Sequence, residues 1–336
     1  MKKLLIVVLL FSLVIGGLFA QGSSEAAVKT KTIKLAVGDP IGSSVGVTAK
    51  HFAERVDALT GGKVKVEVYA DGILFGGDQN AAVNMVEDGG IDAVILAASV
   101  FSSFEPRFNA VCLPYLFSGY DEFKAYLAGA PGQTLLASLD ELNIKGLSLM
   151  IRTFRNVTNS RRPITQPDDL KGLKIRVPNN KLYVEFFKAM GADPTPMNFT
   201  EVYTALQLKT IDGQENPVEV PLANKFYEVQ KHISLTQHIA DAYVLSMNKA
   251  LWNSFDAATQ AQLQQAANET ANFKLDYDVS AENDIIKQLA DKGMAVNELT
   301  EAGKAEFQKK AQAIYPLLSE MIGEAFVKES LEFLGK

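Results

Sequence analysis

Residues 256 to 292 contain neither glycine nor proline and are rich in Ala and Gln. With no breaker in the run, a single helix over it would span roughly 50 Å at 1.5 Å per residue, more than one small lobe is wide. Such an element has to cross from one folding unit to another; the alternative is two shorter helices with a break that the sequence does not mark. A chain of 336 residues exceeds one ordinary domain, and 47% apolar residues is enough for two cores. The expected class is α/β, two-lobed, with a long helix crossing both lobes.

The N-terminus bears on where the chain works. Lys2 and Lys3 precede an apolar run over residues 4 to 18, and Leu18-Phe19-Ala20 ends in the small residue that a signal peptidase needs. This predicts a secretory signal over residues 1–20, cleaved after Ala20, and a flexible segment over 21–28. The run is shorter than the roughly 20 residues of a spanning helix, which counts against a membrane anchor. Lipoprotein processing would need a cysteine just after the run, and the only cysteine is Cys112. The mature protein is expected to be soluble outside the inner membrane. Cleavage removes two lysines and no acids, so the formal charge of −6 becomes −8, and nucleic acid is not an expected partner. A single cysteine cannot form an internal disulfide, so packing has to hold the fold. Cys112, in the apolar context AVCLPYLF, reads as a buried packing residue.

Alternation marks strands over residues 31 to 37 and 64 to 70, and the nearly continuous apolar run at 91 to 98 is expected inside a parallel sheet covered by helices. Between them lie a helix carrying Ala49, Phe52, Ala53 and Val56, stopped by Thr60-Gly61-Gly62, and a helix started by Gly76-Gly77-Asp78. The theme repeats after Arg152 with the strand KIRVP, a helix over about residues 183 to 190 and another over 200 to 208. A helix followed by Ile-Asp occurs in both halves, at Ile91-Asp92 and Ile211-Asp212, a weak internal echo. The first lobe is expected to hold residues 29–152 and 242–281, and the second 153–241 and 282–336. The second lobe is read as ending in a short strand, AVNEL, and one closing helix over residues 301 to 333.

Enzymatic constellations are not found. His51, His232 and His238 have no second cluster of ligands beside them, the wrong inventory for a metal site. Nucleophile-elbow, dinucleotide-binding and phosphate-loop signatures are not present either, so no catalytic residue, metal or cofactor is assigned. Arginine is more informative. In KIRVP, alternation sends Ile175 and Val177 to a core and Lys174 and Arg176 the other way, and Arg155 sits in the polar stretch TFRNVTNS at the lobe boundary. Two guanidinium forks converging on one point can each donate two parallel hydrogen bonds to a carboxylate; either one alone also reads as a solvated surface charge. Asn216, in Gln214-Glu215-Asn216-Pro217, either turns its amide to the same point or caps the helix opened by Pro217. Phe199 reads as a hydrophobic staple for the helix that follows it.

The stretch from Arg155 to His238 resembles the substrate-binding proteins of tripartite ATP-independent periplasmic (TRAP) transporters, a family with dicarboxylate-, sialic-acid- and sugar-acid-binding members. The resemblance rests on FRNVTNSRRPI, DLKGLKIRVPN, GADPTPMNFTEVYTALQLKTIDGQENP and NKFYEVQKHISLTQH, and extends more loosely into the first lobe through LPYLF. It implies a two-lobed periplasmic binding protein fold and no enzymatic activity. It also implies that Arg176 pairs with the ligand carboxylate, that Arg155 and Asn216 reach the same group, and that Phe199 flanks the ligand.

Two departures bear on the ligand. Many members carry Glu in the glycine-rich turn of the first lobe, where Gly77-Asp78-Gln79-Asn80 places the neutral Gln79. Gly38-Asp39-Pro40 lacks the asparagine expected of a sialic-acid binder. A ligand touching Arg155 and Arg176 in one lobe and Gln79 and Asp39 in the other would favour a closed form, with hinges near Arg152 and Ala240 and a bend of the long helix near Ala281. The implied function is capture of a small carboxylate, a hexuronate or other sugar acid, by a monomer that delivers it to the small and large membrane subunits of a TRAP transporter. A C4-dicarboxylate or 2-oxo acid ligand, and ligand sensing through the same cleft, are the alternatives.

Overall fold

The computed structural model describes residues 30–336; the expected signal and the segment 21–28 lie outside the described residues. The strands, in chain order, are β1 Lys31–Val37, β2 Val64–Tyr69, β3 Ala93–Ala97, β4 Ile144–Ile151, β5 Arg155–Asn159, β6 Lys174–Val177, β7 Asp193–Pro196, β8 Gly213–Asn216, β9 His232–Ile239, β10 Ala242–Asn248 and β11 Ala295–Glu298. They form a five-stranded sheet, β2-β1-β3-β10-β4, and a six-stranded sheet, β11-β9-β5-β8-β6-β7.

In β1 the alternation is visible as burial: Ile33 and Leu35 are inside while Thr32 and Lys34 are exposed. All five residues of β3 are buried, because the strand runs through the middle of the sheet with layers on both faces. The expected parallel surroundings need correction. β1 runs parallel to β3 but β10 runs antiparallel, since β10 returns from the second half of the chain and makes the sheet mixed. The helix Ser44–Thr60 starts under Ser43, whose side chain accepts from the Gly46 N–H, and stops at Gly61 with φ 59°, a conformation that glycine takes without a Cβ penalty. Helix Gln79–Glu87 opens on Asp78, which accepts from the N–H groups of Asn80 and Ala81. Cys112 is a buried free thiol.

The chain leaves the first sheet after Ile151 and enters the second at Arg155; it leaves the second after Ile239 and re-enters the first at Ala242. These crossings run side by side, tied by a 3.0 Å hydrogen bond from the Arg152 N–H to the Asp241 carbonyl. A third passage is the helix Ala257–Asp291, uninterrupted over 35 residues and capped by Asp256. It packs on helix Ser44–Thr60 and β4, and also on helix Glu219–Ala223 and β11, so it spans both sheets. Within it Lys274 is fully buried and paired with Asp278. Ser44 Oγ accepts from Lys274 and donates to Asp278, supplying the hydrogen bonds that a buried ion pair needs to offset its lost hydration.

The C-terminal segment differs from the single closing helix expected. It is three helices, Glu301–Ala313, Tyr315–Ile322 and Glu324–Phe333, because Pro316 has no N–H to donate and Gly323 takes φ 113°. The last two also depart from the expected grouping of residues 282–336 with the second lobe. Tyr126 Oη lies 2.8 Å from Ser330 Oγ, Phe333 meets the Tyr126 ring edge-on at 6.2 Å, and Lys336 pairs with Glu122 at 2.9 Å. Phe123 and Tyr126 of helix Tyr120–Ala128 are large apolar groups that need cover, and Ile322, Phe326 and Val327 belong to the same buried cluster.

Candidate functional site

The alternation of β6 sends Ile175 and Val177 into the core and leaves Lys174 exposed. Arg176, on the other face, enters a cavity and is only 4% exposed. Its Nε and Nη2 donate to the Met197 carbonyl at 3.1 and 2.7 Å, and the guanidinium lies 5.8 Å from the centre of the Phe199 ring. Among the described residues no carboxylate forms an ion pair with it within 4.0 Å. Burial pulls its pKa down to about 10, with Glu215 acting the other way. The group is therefore a cation at neutral pH with no counter-ion of its own.

Arg155 opens β5 and is 1% exposed. Burial works against its charge, but Glu215, Tyr183 and Asp241 outweigh that and hold its pKa well above the ordinary value. Nε and Nη2 form a fork onto Glu215 at 2.6 and 2.7 Å, Nη2 also reaches the Glu215 carbonyl at 2.9 Å, and Nη1 donates to Asp241 at 3.0 Å. The expectation of two free forks on one point therefore needs correction. Arg155 borders the cavity, but its bidentate edge is occupied by Glu215.

Asn216 ends β8 opposite Asn156. Its Nδ2 donates to Gln214 Oε1 at 2.7 Å, and Gln214 Nε2 donates to Thr158 Oγ1 at 2.9 Å; this buried chain fixes which way the amide faces. It is not a helix cap: helix Glu219–Ala223 begins later, after Val218, with no side-chain cap. Phe199 starts a short 3-10 turn, Phe199–Glu201, packs on the cluster containing Val202 and Phe226, and shows its other side to the cavity.

From the first sheet come Asp39, in the loop after β1, and Gln79, the first residue of its helix. The β1 loop passes so close that a Cβ on Gly38 would stand 2.7 Å from Gln79 Nε2. Asp39 is 7% exposed. Burial raises its pKa, opposed by Arg152, Asn224 and Lys274.

Asp39, Gln79, Arg155, Arg176, Phe199 and Asn216 thus all border one cavity, which leaves about 410 Å³ of atom-free space, part of it open to solvent. Arg152, Ser99 and Tyr243 border it as well and were not named in the sequence as site residues. The signal for Arg152 was its place three residues before Arg155 in the crossing, and for Tyr243 its place in β10 just after the return crossing. The acids that balance the arginines were also missed. Asp241 serves Arg152 at 3.1 Å and Arg155 at 3.0 Å, and Glu219 stands 3.8 Å from Arg152. Glu215 is kept below its ordinary pKa because Arg155 and His238 outweigh burial. Among the described residues no three His, Cys, Asp or Glu side chains are grouped to hold a metal ion. The arrangement suits reversible capture of an anion bearing polar substituents: one unbalanced cation, one oriented amide, one aromatic wall and several balanced ions.

The family described as bacterial extracellular solute-binding protein, family 7, matches residues 38–321. The 2,3-diketo-L-gulonate-binding periplasmic protein YiaO of Escherichia coli (strain K12) is 32% identical over 319 residues, 95% of this chain and 93% of the relative. The sugar acid binding protein DctPAm of Advenella mimigardefordensis, solved with galactonate, superposes with a TM-score of 0.88 at 31% identity, over 91% of this chain and 98% of that one. A TRAP periplasmic solute binding protein of Polaromonas sp., solved with D-erythronate, gives 0.85 at 32% identity over 89% of this chain and 98% of that one.

Proposed function

This chain belongs to the bacterial extracellular solute-binding proteins of family 7, and from that premise we propose that it is the periplasmic receptor of a TRAP transporter for a sugar acid, a hexuronate or an aldonate. The observation that carries this reading is Arg176, a buried cation that borders the cavity and forms no ion pair among the described residues. A ligand carboxylate supplies the missing charge, and an arginine fork is matched to it in shape. Asn216 adds an amide to the same group, Phe199 a wall, and Gln79 a neutral partner for a hydroxyl. Arg155 acts mainly by holding Glu215 and Asp241 in place, with its remaining N–H free for the ligand. The sugar-acid preference is supported by the relatives and neighbours named above for diketogulonate, galactonate and erythronate.

Ligand contacts come from elements of both sheets, so a bound ligand interacts more favourably with a closed arrangement than an open one. Hinge closure is a recognised transition of periplasmic binding proteins; here the hinges are the crossings at 152–154 and 240–241 and the long helix near Ala281. The loaded monomer then passes its cargo to the small and large membrane subunits. A thermal-shift panel of hexuronates, aldonates, succinate, malate and pyruvate tests the reading. The true ligand raises the apparent stability by about 2.7 kcal/mol at a hundredfold excess over Kd. A shift with succinate or pyruvate and none with any sugar acid contradicts it.

A further inference from the structure

We propose, resting on the sugar-acid reading above, that Arg152 and Asp39 form a second subsite that grips a hydroxyl at the ligand's far end, so that the cleft takes polyhydroxylated monoacids and rejects acids with a second carboxylate there. Arg152 is 4% exposed, borders the cavity and lies 4.4 Å from the centre of the Tyr243 ring. Of its five N–H groups, one on Nη1 donates to Asp241 at 3.1 Å. Nη2 stands 3.8 Å from Glu219, too far for a hydrogen bond, and the buried Nε has no partner among the described residues. A buried donor without a partner forfeits its hydration for nothing, so Arg152, which borders the cavity, keeps donor capacity that its own acids leave unused.

Asp39 borders the same cavity, and among the described residues its side chain receives only a 3.5 Å contact from Asn224. Arg152 lowers the Asp39 pKa, yet no ion pair within 4.0 Å joins them among the described residues. A group bound between a donor and an acceptor that both border one cavity has to accept from the one and donate to the other, which is what a hydroxyl does. Charge separates the two ends of the cleft. Arg152 pairs with Asp241 and has Glu219 3.8 Å away, whereas among the described residues no acid forms an ion pair with Arg176 within 4.0 Å. A second carboxylate at the Arg152 end would find no unbalanced cation and would face Asp39, a like charge in a buried place.

Calorimetry with D-gluconate, D-glucuronate and D-glucarate, and with the three galacto counterparts, tests this, because each monoacid differs from its diacid at one terminal carbon. The wild type is expected to bind at least one monoacid tenfold or more tighter than the matching diacid. Asp39→Asn, nearly isosteric, should shrink that ratio at least tenfold; Arg152→Gln should weaken the monoacid at least tenfold. A wild type that binds monoacid and diacid alike, or an Asp39→Asn protein with an unchanged ratio, overturns the subsite and leaves the carboxylate site at Arg176 standing. A wild type that binds none of the six acids overturns the sugar-acid reading and this subsite with it.

Discussion

Arg155 and Glu215 form a buried fork, Nε to Oε2 at 2.6 Å and Nη2 to Oε1 at 2.7 Å, while Arg176, two strands away in the same sheet, forms no ion pair among the described residues. Two arginines that were expected to present converging forks thus differ in their partners. Removing one member of a buried pair strands the other charge, at a cost of about 3–5 kcal/mol. Arg155→Ala and Glu215→Gln should each lose stability on that scale in urea titrations, whereas Arg176→Ala should change it by no more than about 1 kcal/mol. Equal losses at Arg155 and Arg176 would contradict the division of labour.

Burial and Asp278 raise the Glu219 carboxyl from its ordinary 4.5 to about 7, against Arg152 and Lys274. Between those values the folded protein binds more protons at this group than the unfolded chain does, so its contribution to stability falls as pH rises from 4.5 to 7. Glu219→Gln removes that titration. Comparing unfolding free energies at about pH 5 and about pH 7.5, the wild type should lose on the order of 1–3 kcal/mol relative to the variant. A gain, or no relative change, would contradict the assignment.

Much of this was legible in the sequence, for identifiable physical reasons. A run without glycine or proline became the 35-residue helix, and the alternation of KIRVP placed Arg176 on the face away from Ile175 and Val177. What was not legible depended on partners distant in sequence. Nothing local to Arg155 says that Glu215, 60 residues on, will close its fork, or that Asp241 will serve two arginines. Asn216 before Pro217 carries a cap signature, but the β8–β5 ladder claimed it. The C-terminal helices were assigned by chain position, while burial of Phe123 and Tyr126 decided where they pack.

The sheets already approach across the cleft. Asn224 reaches Asp39 at 3.5 Å, and a Cβ on Gly77 would stand 2.9 Å from the Thr200 side chain. Closure on a ligand should reduce the radius of gyration in small-angle scattering, measured with and without an acid whose binding calorimetry has established. An unchanged radius would remove the closure step and leave the carboxylate site untouched.

Gln79 is neutral, and its loss should remove one hydrogen bond to a hydroxyl, about 0.5–1.5 kcal/mol. Gln79→Ala should therefore weaken sugar-acid binding by roughly 2- to 10-fold. A hundredfold loss by calorimetry would mean that Gln79 holds more than a hydroxyl.

The central claim is that Arg176 takes the ligand carboxylate, and calorimetry of the wild type beside Arg176→Ala and Arg176→Lys, with the sugar acid that gives the largest thermal shift, tests it most directly. Truncating one partner of a buried charge pair costs about 2–5 kcal/mol, so Arg176→Ala should bind roughly 30-fold to several thousandfold more weakly. Arg176→Lys should recover only part of that, since an ammonium cannot reproduce the fork. Near-wild-type affinity in Arg176→Ala would contradict the account.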